Sequence, residues 1–218
     1  MTQAANALFN ATNLACRRGG RLVFSGLHFA LPPGRALILR GPNGSGKSSL
    51  LRLLAGLGRP ESGRIAWGGE TISDDSAAHR ARLHFIGHAD AVKPALLVGE
   101  TLAFWAGLHG GGADDVTAAL AHFRLERLAD MPCRFLSAGE RKRLALARLL
   151  ASPAALWLLD EPTNGLDAAA LEDLLRAISD HCAGGGIALI ASHLPLTLDR
   201  VETLALDDYT PRGRALAA

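Results

Sequence analysis

Short apolar runs alternate with longer stretches of helical periodicity along the chain. Leu8–Leu14 and Leu22–Leu31 read as strands, parted by the turn residues Gly19-Gly20, and Pro32-Pro33-Gly34 reads as a turn. The apolar run 36–39 predicts a buried strand, and 49–55 a helix that ends near Gly56 and Gly58. A turn with another short strand is expected over 59–69, and a buried strand over Leu83–Gly87. From residue 88 to about 152 the period becomes helical. Val98–Leu108 and Val116–Leu128 predict two helices around the cluster Gly110–Gly112, with Asp114 and Asp115 as candidate caps for the second. A third helix is expected over Ala138–Ala151. The α/β pattern then returns with strand Leu156–Leu159, helix Ala168–Cys182, turn Gly184–Gly186 and strand Ile187–Ala191. There is no internal repeat and no low-complexity linker. The tail after Tyr209 is expected to be short and loose.

Composition narrows this picture. With 218 residues, 49% of them hydrophobic, the chain can bury a sizeable core. A formal net charge of +2, with scattered basic residues, argues against a nucleic-acid surface. Cys16, Cys133 and Cys182 lie far apart without a C-x-x-C pair, which points to reduced, buried thiols in a cytosolic protein. The first nine residues carry no positive charge and no apolar core, so no signal peptide is expected there. No apolar run approaches the ~20 residues that span a bilayer, so a membrane role would come through a partner.

Gly41-Pro42-Asn43-Gly44-Ser45-Gly46-Lys47-Ser48 changes the picture most. It reads G-x-x-x-x-G-K-S between a strand and a helix, the context a phosphate-binding loop needs. Its glycines let successive N–H groups face one phosphate tail, and the following helix, which opens with Ser49, adds the positive end of its dipole. Lys47 reaches the outer phosphates, and the Ser48 hydroxyl is a Mg²⁺ ligand. A second element, 156–161, is an apolar strand ending in two carboxylates. Asp160 can hold Mg²⁺ opposite Ser48, and Glu161 is free to orient or deprotonate an attacking water. A third, Leu136-Ser137-Ala138-Gly139-Glu140, places Ser137 and Gly139 at a helix start, a second anion site without a lysine. The cations Arg141–Arg143 there oppose the helix dipole, which argues for an external anion.

Taken in order and spacing, Gly41–Ser48, Leu136–Glu140, Leu159–Asp167 and Ser192-His193 resemble the ATP-binding cassette of ABC transporters over nearly the whole chain. Residues 136–140 resemble the LSGGQ-type signature, with Ala for the first Gly and Glu for Gln. Asn164–Asp167 resembles the D-loop, and His193 the switch histidine that contacts the γ-phosphate. The resemblance implies an α/β fold: a P-loop NTPase ABC cassette with a RecA-like core, an N-terminal antiparallel β subdomain and an inserted α-helical subdomain. It implies one domain over 1–218, with about 8–87 and 153–210 forming the core and about 88–152 the helical part. It also implies ATP and Mg²⁺ as ligands, and two cassettes pairing head to tail so that each ATP lies between one phosphate loop and the partner's Ser137, Ala138, Gly139, Glu140 and Asp167. Catalysis would then fall to Glu161, His193 and Lys47.

Within those transporters, the segment 85–105 is similar to the ATP-binding subunits of haem exporters of cytochrome c maturation. Gly87-His88, Ala91–Lys93, Glu100–Leu102 and Phe104-Trp105 carry that likeness, with Phe24–Leu27, Leu50–Leu54, Gly56-Leu57 and Arg59-Pro60. It implies integral-membrane partners of that system, a place on the cytoplasmic face of the bacterial inner membrane, and haem as an indirect partner only. Two features depart from the usual cassette. His88 stands where a Gln normally joins Mg²⁺ to the transport domain, and serves either as a substitute ligand in the nucleotide site or as a polar strand end. Cys16-Arg17-Arg18 stands where an aromatic normally stacks on adenine, so an arginine plane would take that place. Soluble cassettes that act on ribosomes or DNA usually carry two cassettes or long coiled coils, and this chain has no sustained heptads. A nucleotide kinase or GTPase would have no use for 136–140 or His193.

Overall fold

A computed structural model describes residues 7–211. The first six residues, and the tail beyond 211 expected to be loose, lie outside the described residues. Two sheets organise the fold. The N-terminal strands β1 (Phe9–Arg18), β2 (Arg21–Leu31), β4 (Ser62–Trp67) and β5 (Glu70–Thr71) form an antiparallel sheet in the order β2-β1-β4-β5. The strands β3 (Ala36–Arg40), β6 (Leu83–Ile86), β7 (Leu156–Asp160), β8 (Ile187–Ala191) and β9 (Val201–Ala205) form a parallel sheet in the order β6-β7-β8-β3-β9. Between β6 and β7 the chain makes α3 (Val98–Leu108), α4 (Ala113–His122) and α5 (Ala138–Ala147); α1 (Lys47–Leu54) follows β3 and α6 (Ala168–Ala183) follows β7.

Side-chain alternation along the parallel strands divides the core in two. Leu37, Leu39, Leu156, Leu158, Ile187 and Leu189 face α1 and the antiparallel sheet. Ile38, Trp157, Leu159, Ala188 and Ile190 face the helices α3 to α6. The central strands β3, β7 and β8 are buried on both faces, which is why they read as unbroken apolar runs. All three cysteines are free and buried, as their apolar surroundings predict. No helix among the described residues is long and apolar enough to cross a membrane.

Several boundaries differ from expectation. The first strand continues to Arg18 past an irregularity at Asn13, whose φ is +49°. The helix expected over 116–128 instead starts at Ala113 and stops at His122; Arg124, at φ +56°, breaks it, and a 3₁₀ turn covers Glu126–Leu128. Gly112 occupies its N-cap, and Asp115 helps by accepting the Gly112 N–H at 2.8 Å. The third helix is regular only to Ala147 and continues as turns. Three elements lacked a periodic signal. They are the six-residue helix α2 (Ser76–Ala81), capped by Asp75; the two-residue β5; and the edge strand β9, half exposed and interrupted by the polar pair Glu202-Thr203.

Two histidines, the half-buried His181 and the buried His84, pack against this core. His181 stacks on Trp157 at 3.9 Å with the planes 6° apart, and its Nε2 donates to Ile187 O at 3.2 Å. A side chain at Gly186 would collide with that imidazole, 2.2 Å from a Cβ there. His84 donates from Nε2 to Ser152 O at 3.0 Å. Burial pushes both from the usual 6.5 to about 4. A depressed folded pKa means that unfolding takes up protons below 6.5. The stability these neutral rings contribute is complete above that pH and lost as pH falls toward about 4. The loss reaches at most about 2 kcal/mol per ring by pH 5. Urea unfolding between pH 7 and 4.5 tests this: His181→Phe keeps the stack and should flatten the pH slope. An unchanged slope would discard the account.

Candidate functional site

A cleft of about 570 Å³ opens where the C-terminal ends of β3, β7 and β8 meet the start of α1. Gly44, Gly46, Lys47, Ser48 and Ser49 line one wall, Asp160 and Glu161 another, and His88, Asn164 and His193 the rim. This is the crevice at the carboxyl ends of parallel strands where such sheets bind ligands. Gly46 is the N-cap of α1 at φ +105°, and a Cβ there would stand 2.6 Å from Val23 Cγ1. Only glycine lets β2 approach this closely, and that approach brings Val23 and Arg18 to the mouth of the cleft. The α1 N-terminus has no side-chain cap. Its free N–H groups and its dipole therefore face the cleft and suit an anion.

Lys47 is buried, and its ammonium donates to Gly41 O at 2.7 Å and Pro42 O at 3.2 Å, closing the loop on itself. Ser48 Oγ donates to Asp160 Oδ1 at 3.0 Å. These two oxygens, one at a helix start and one at a strand end, are a hard donor set of the kind Mg²⁺ takes. Glu161 has φ +49°, rare for a side chain of its size, and its N–H donates to Ala191 O at 2.9 Å. His193 Nε2 lies 3.0 Å from Glu161 Oε1 and 3.4 Å from Lys47 Nζ. One ring nitrogen cannot accept from the ammonium and also donate to the carboxylate. Both buried carboxylate oxygens of Glu161 are left without a hydrogen-bond partner among the described residues. Arg40 Nη1 donates to Ser192 O and Leu194 O at 3.2 and 2.8 Å, anchoring the loop that carries His193. Nothing in the sequence singled out Arg40.

Residues 136–140 stand outside this cleft. Ser137 is the N-cap of α5, accepting from Glu140 N at 3.2 Å while Glu140 Oε2 accepts from Ser137 N at 2.7 Å. Those bonds hold the Glu140 carboxyl below its ordinary range. Ser137 and Ala138 are exposed, and Gly139 packs beside Gly165, where a Cβ would stand 3.5 Å from the carbonyl. Asp167 is also exposed and caps α6 through Ala170 N at 2.8 Å. Arg141 donates to Leu136 O, Lys142 pairs with Asp90, and Arg143 donates to Phe123 O, so each cation has an internal partner and, against expectation, the run does not by itself call for an external anion. At the mouth, Arg17 is tied to Glu61 at 3.1 Å and Cys16 is buried, whereas Arg18 lines the cleft. Of the three residues at the adenine position, only Arg18 has its side chain at the cleft.

The family described as ABC transporter matches residues 24–164. A solved putative ABC transporter ATP-binding protein from Pyrococcus furiosus shares the fold, with a TM-score of 0.83 at 23% identity over 94% of this chain and 100% of that one. A bacterial Atm1-family ABC exporter with ATP bound aligns with a TM-score of 0.78 at 27% identity, covering 92% of this chain and 37% of that one. A phosphate loop, a carboxylate-ended strand and a signature helix on this architecture define an ATP-binding cassette. The chain belongs to the ABC transporter family and is an ATP-hydrolysing transporter subunit. It is similar to the Cytochrome c biogenesis ATP-binding export protein CcmA of Paramagnetospirillum magneticum, 51% identical over 209 residues, or 94% of this chain and 96% of the relative. The protein of the same name from Rhodospirillum rubrum is 52% identical over 207 residues, covering 95% and 89%.

Proposed function

We propose that the chain powers an export step of cytochrome c biogenesis as a pair of identical cassettes held under integral-membrane subunits. Its place is the cytoplasmic face of the inner membrane, and haem is handled by the membrane partners. The carrying observation is that Ser137–Glu140 forms a helix start, exposed at Ser137 and Ala138, outside the chain's own phosphate cleft. A second copy turned head to tail brings that anion-binding face to the phosphate loop. Residues of 8–87 and 153–210 form the nucleotide core, and 88–152 the helical part. Exposed Phe104 and Leu108 on α3, with Phe135 ahead of α5, give the helical part an apolar surface for the membrane subunits.

In this reading the loop N–H groups of residues 41–46 and the Lys47 ammonium bind the phosphate tail of ATP. Ser48 and Asp160 would hold Mg²⁺, with His88 across the cleft, and the cation would supply charge neutralisation. Glu161, beside His193 and lining the cleft, orients a water and takes its proton. His193 touches the γ-phosphate, and the partner's 137–140 face and Asp167 close the pocket. Loss of the shared phosphate removes the contacts that hold the pair together, so hydrolysis shifts the population toward open pairs.

Ser137→Arg tests this arrangement. It crowds the proposed pairing face and spares the chain's own cleft. ATP binding to the single chain should persist within about threefold, while turnover falls at least about tenfold. ATP-induced pairing on a sizing column should vanish. Normal turnover by this variant would end the head-to-tail reading. Tagged protein solubilised from membranes should retain integral-membrane subunits; recovery with ribosomes instead would reject the transport role.

A further inference from the structure

Lys142 lies in the first turn and a half of α5, and its side chain is 8% exposed. Burying an ammonium costs several kcal/mol unless opposite charge compensates it. Among the described residues its one ion pair is to Asp90 Oδ1, at 3.9 Å. Asp90 sits in the irregular segment between β6 and α3, two residues after His88, which lines the cleft. Burial lowers the pKa of Lys142; the negative groups that oppose this are Asp90, then Asp160 and Glu161. The ammonium is therefore in contact with the segment that carries His88 and within electrostatic reach of the carboxylates that end β7. The later part of that segment is held by Cys133 N–H and Arg134 N–H, which donate to Leu96 O and Pro94 O, and by a bridge from Leu97 to Pro132. The part nearer His88 has no such brace among the described residues, and its charged tie to α5 runs through one lysine.

We infer that Lys142 is a positioning residue for ATP hydrolysis. Through Asp90 it holds the His88 segment in register with α5, so that the cleft wall and the signature face move as one piece. The inference rests on the ATPase reading above and assigns to Lys142 a role that does not require it to touch the nucleotide. That role explains why a lysine is kept here despite its burial and its unfavourable place near a helix start.

The test compares the full-length chain with Lys142→Met, Lys142→Arg, Asp90→Asn and the Lys142→Met/Asp90→Asn double variant. Turnover and KM for ATP are measured separately, with a fluorescent ATP analogue reporting binding and thermal unfolding reporting integrity. Lys142→Met should lower kcat by about tenfold with KM changed less than about threefold. Asp90→Asn, at a partly exposed position, should reproduce that loss without affecting folding. The double variant should be no worse than either single one, the mark of residues acting as a pair. Lys142→Arg should recover most of the activity. Unchanged kcat in Asp90→Asn, or losses that multiply in the double variant, would overturn the inference. So would a loss that tracks the melting temperature alone. Wild-type turnover is measured in parallel, so a wild-type protein without ATPase activity would indict the functional reading rather than Lys142.

Discussion

Glu161→Gln should reduce ATP turnover by two to three orders of magnitude, the size of loss expected when a positioned base is removed. ATP affinity should stay close to wild type. The reason is local geometry. Glu161 adopts φ +49° just past the end of β7, a conformation that costs about 1 kcal/mol for such a side chain. Its N–H is held by Ala191 O and the next residue is Pro162, so the backbone has little freedom to relax. Its two buried oxygens face the cleft without a hydrogen-bond partner, although His193 Nε2 lies 3.0 Å away. A carboxylate held at this cost, with His193 beside one oxygen and no well-aligned donor on either, is poised for a water rather than built for stability. Glutamine keeps the shape and removes the proton acceptor. ATP should then bind, bring two chains together and persist, visible as an ATP-dependent shift to the dimer on a sizing column. If the variant hydrolyses ATP at the wild-type rate, the base must be sought elsewhere.

Lys47→Ala should abolish measurable hydrolysis and weaken ATP binding by about ten- to a hundredfold, as expected for losing a charge-assisted phosphate contact. Lys47 has two jobs here. Its ammonium donates to Gly41 O and Pro42 O and so holds the loop in its cradle shape, and it lines the cleft into which the α1 N-terminus opens. Lys47→Arg should rescue little, because a planar guanidinium is broader than the ammonium that fits between those carbonyls. Isothermal titration with ATP separates binding from turnover. Near-wild-type affinity and rate in Lys47→Ala would remove the loop from the mechanism. The two losses should differ in kind: Glu161→Gln traps a bound pair, whereas Lys47→Ala leaves single chains.

Much of this was legible before any coordinates. The buried strands β3, β6, β7 and β8 announced themselves because a parallel sheet covered on both faces leaves its strands uniformly apolar. The chemistry of Gly41–Ser48 and Asp160-Glu161 was legible for a different reason. Phosphate and Mg²⁺ binding need fixed residue types at fixed backbone spacing, and spacing is what a sequence records. Elements without burial on two sides left no comparable trace: β9 at the sheet edge, β5 with two residues, and α2 with six. The Arg141–Arg143 run misled because one-dimensional reasoning sees a helix start and its dipole, not the carbonyls and carboxylate that approach from elsewhere.

The order of motifs along the chain determined by itself that this is a cassette, since covalent sequence sets which loops follow which strands. Only the tertiary structure decided how those loops are joined. It set Arg18 rather than Arg17 at the mouth, tied the His193 loop to Arg40, and linked Asp90 to Lys142 across 52 positions of chain. Such contacts depend on where separate elements come to rest, and packing between distant segments has no period or spacing for a sequence to display.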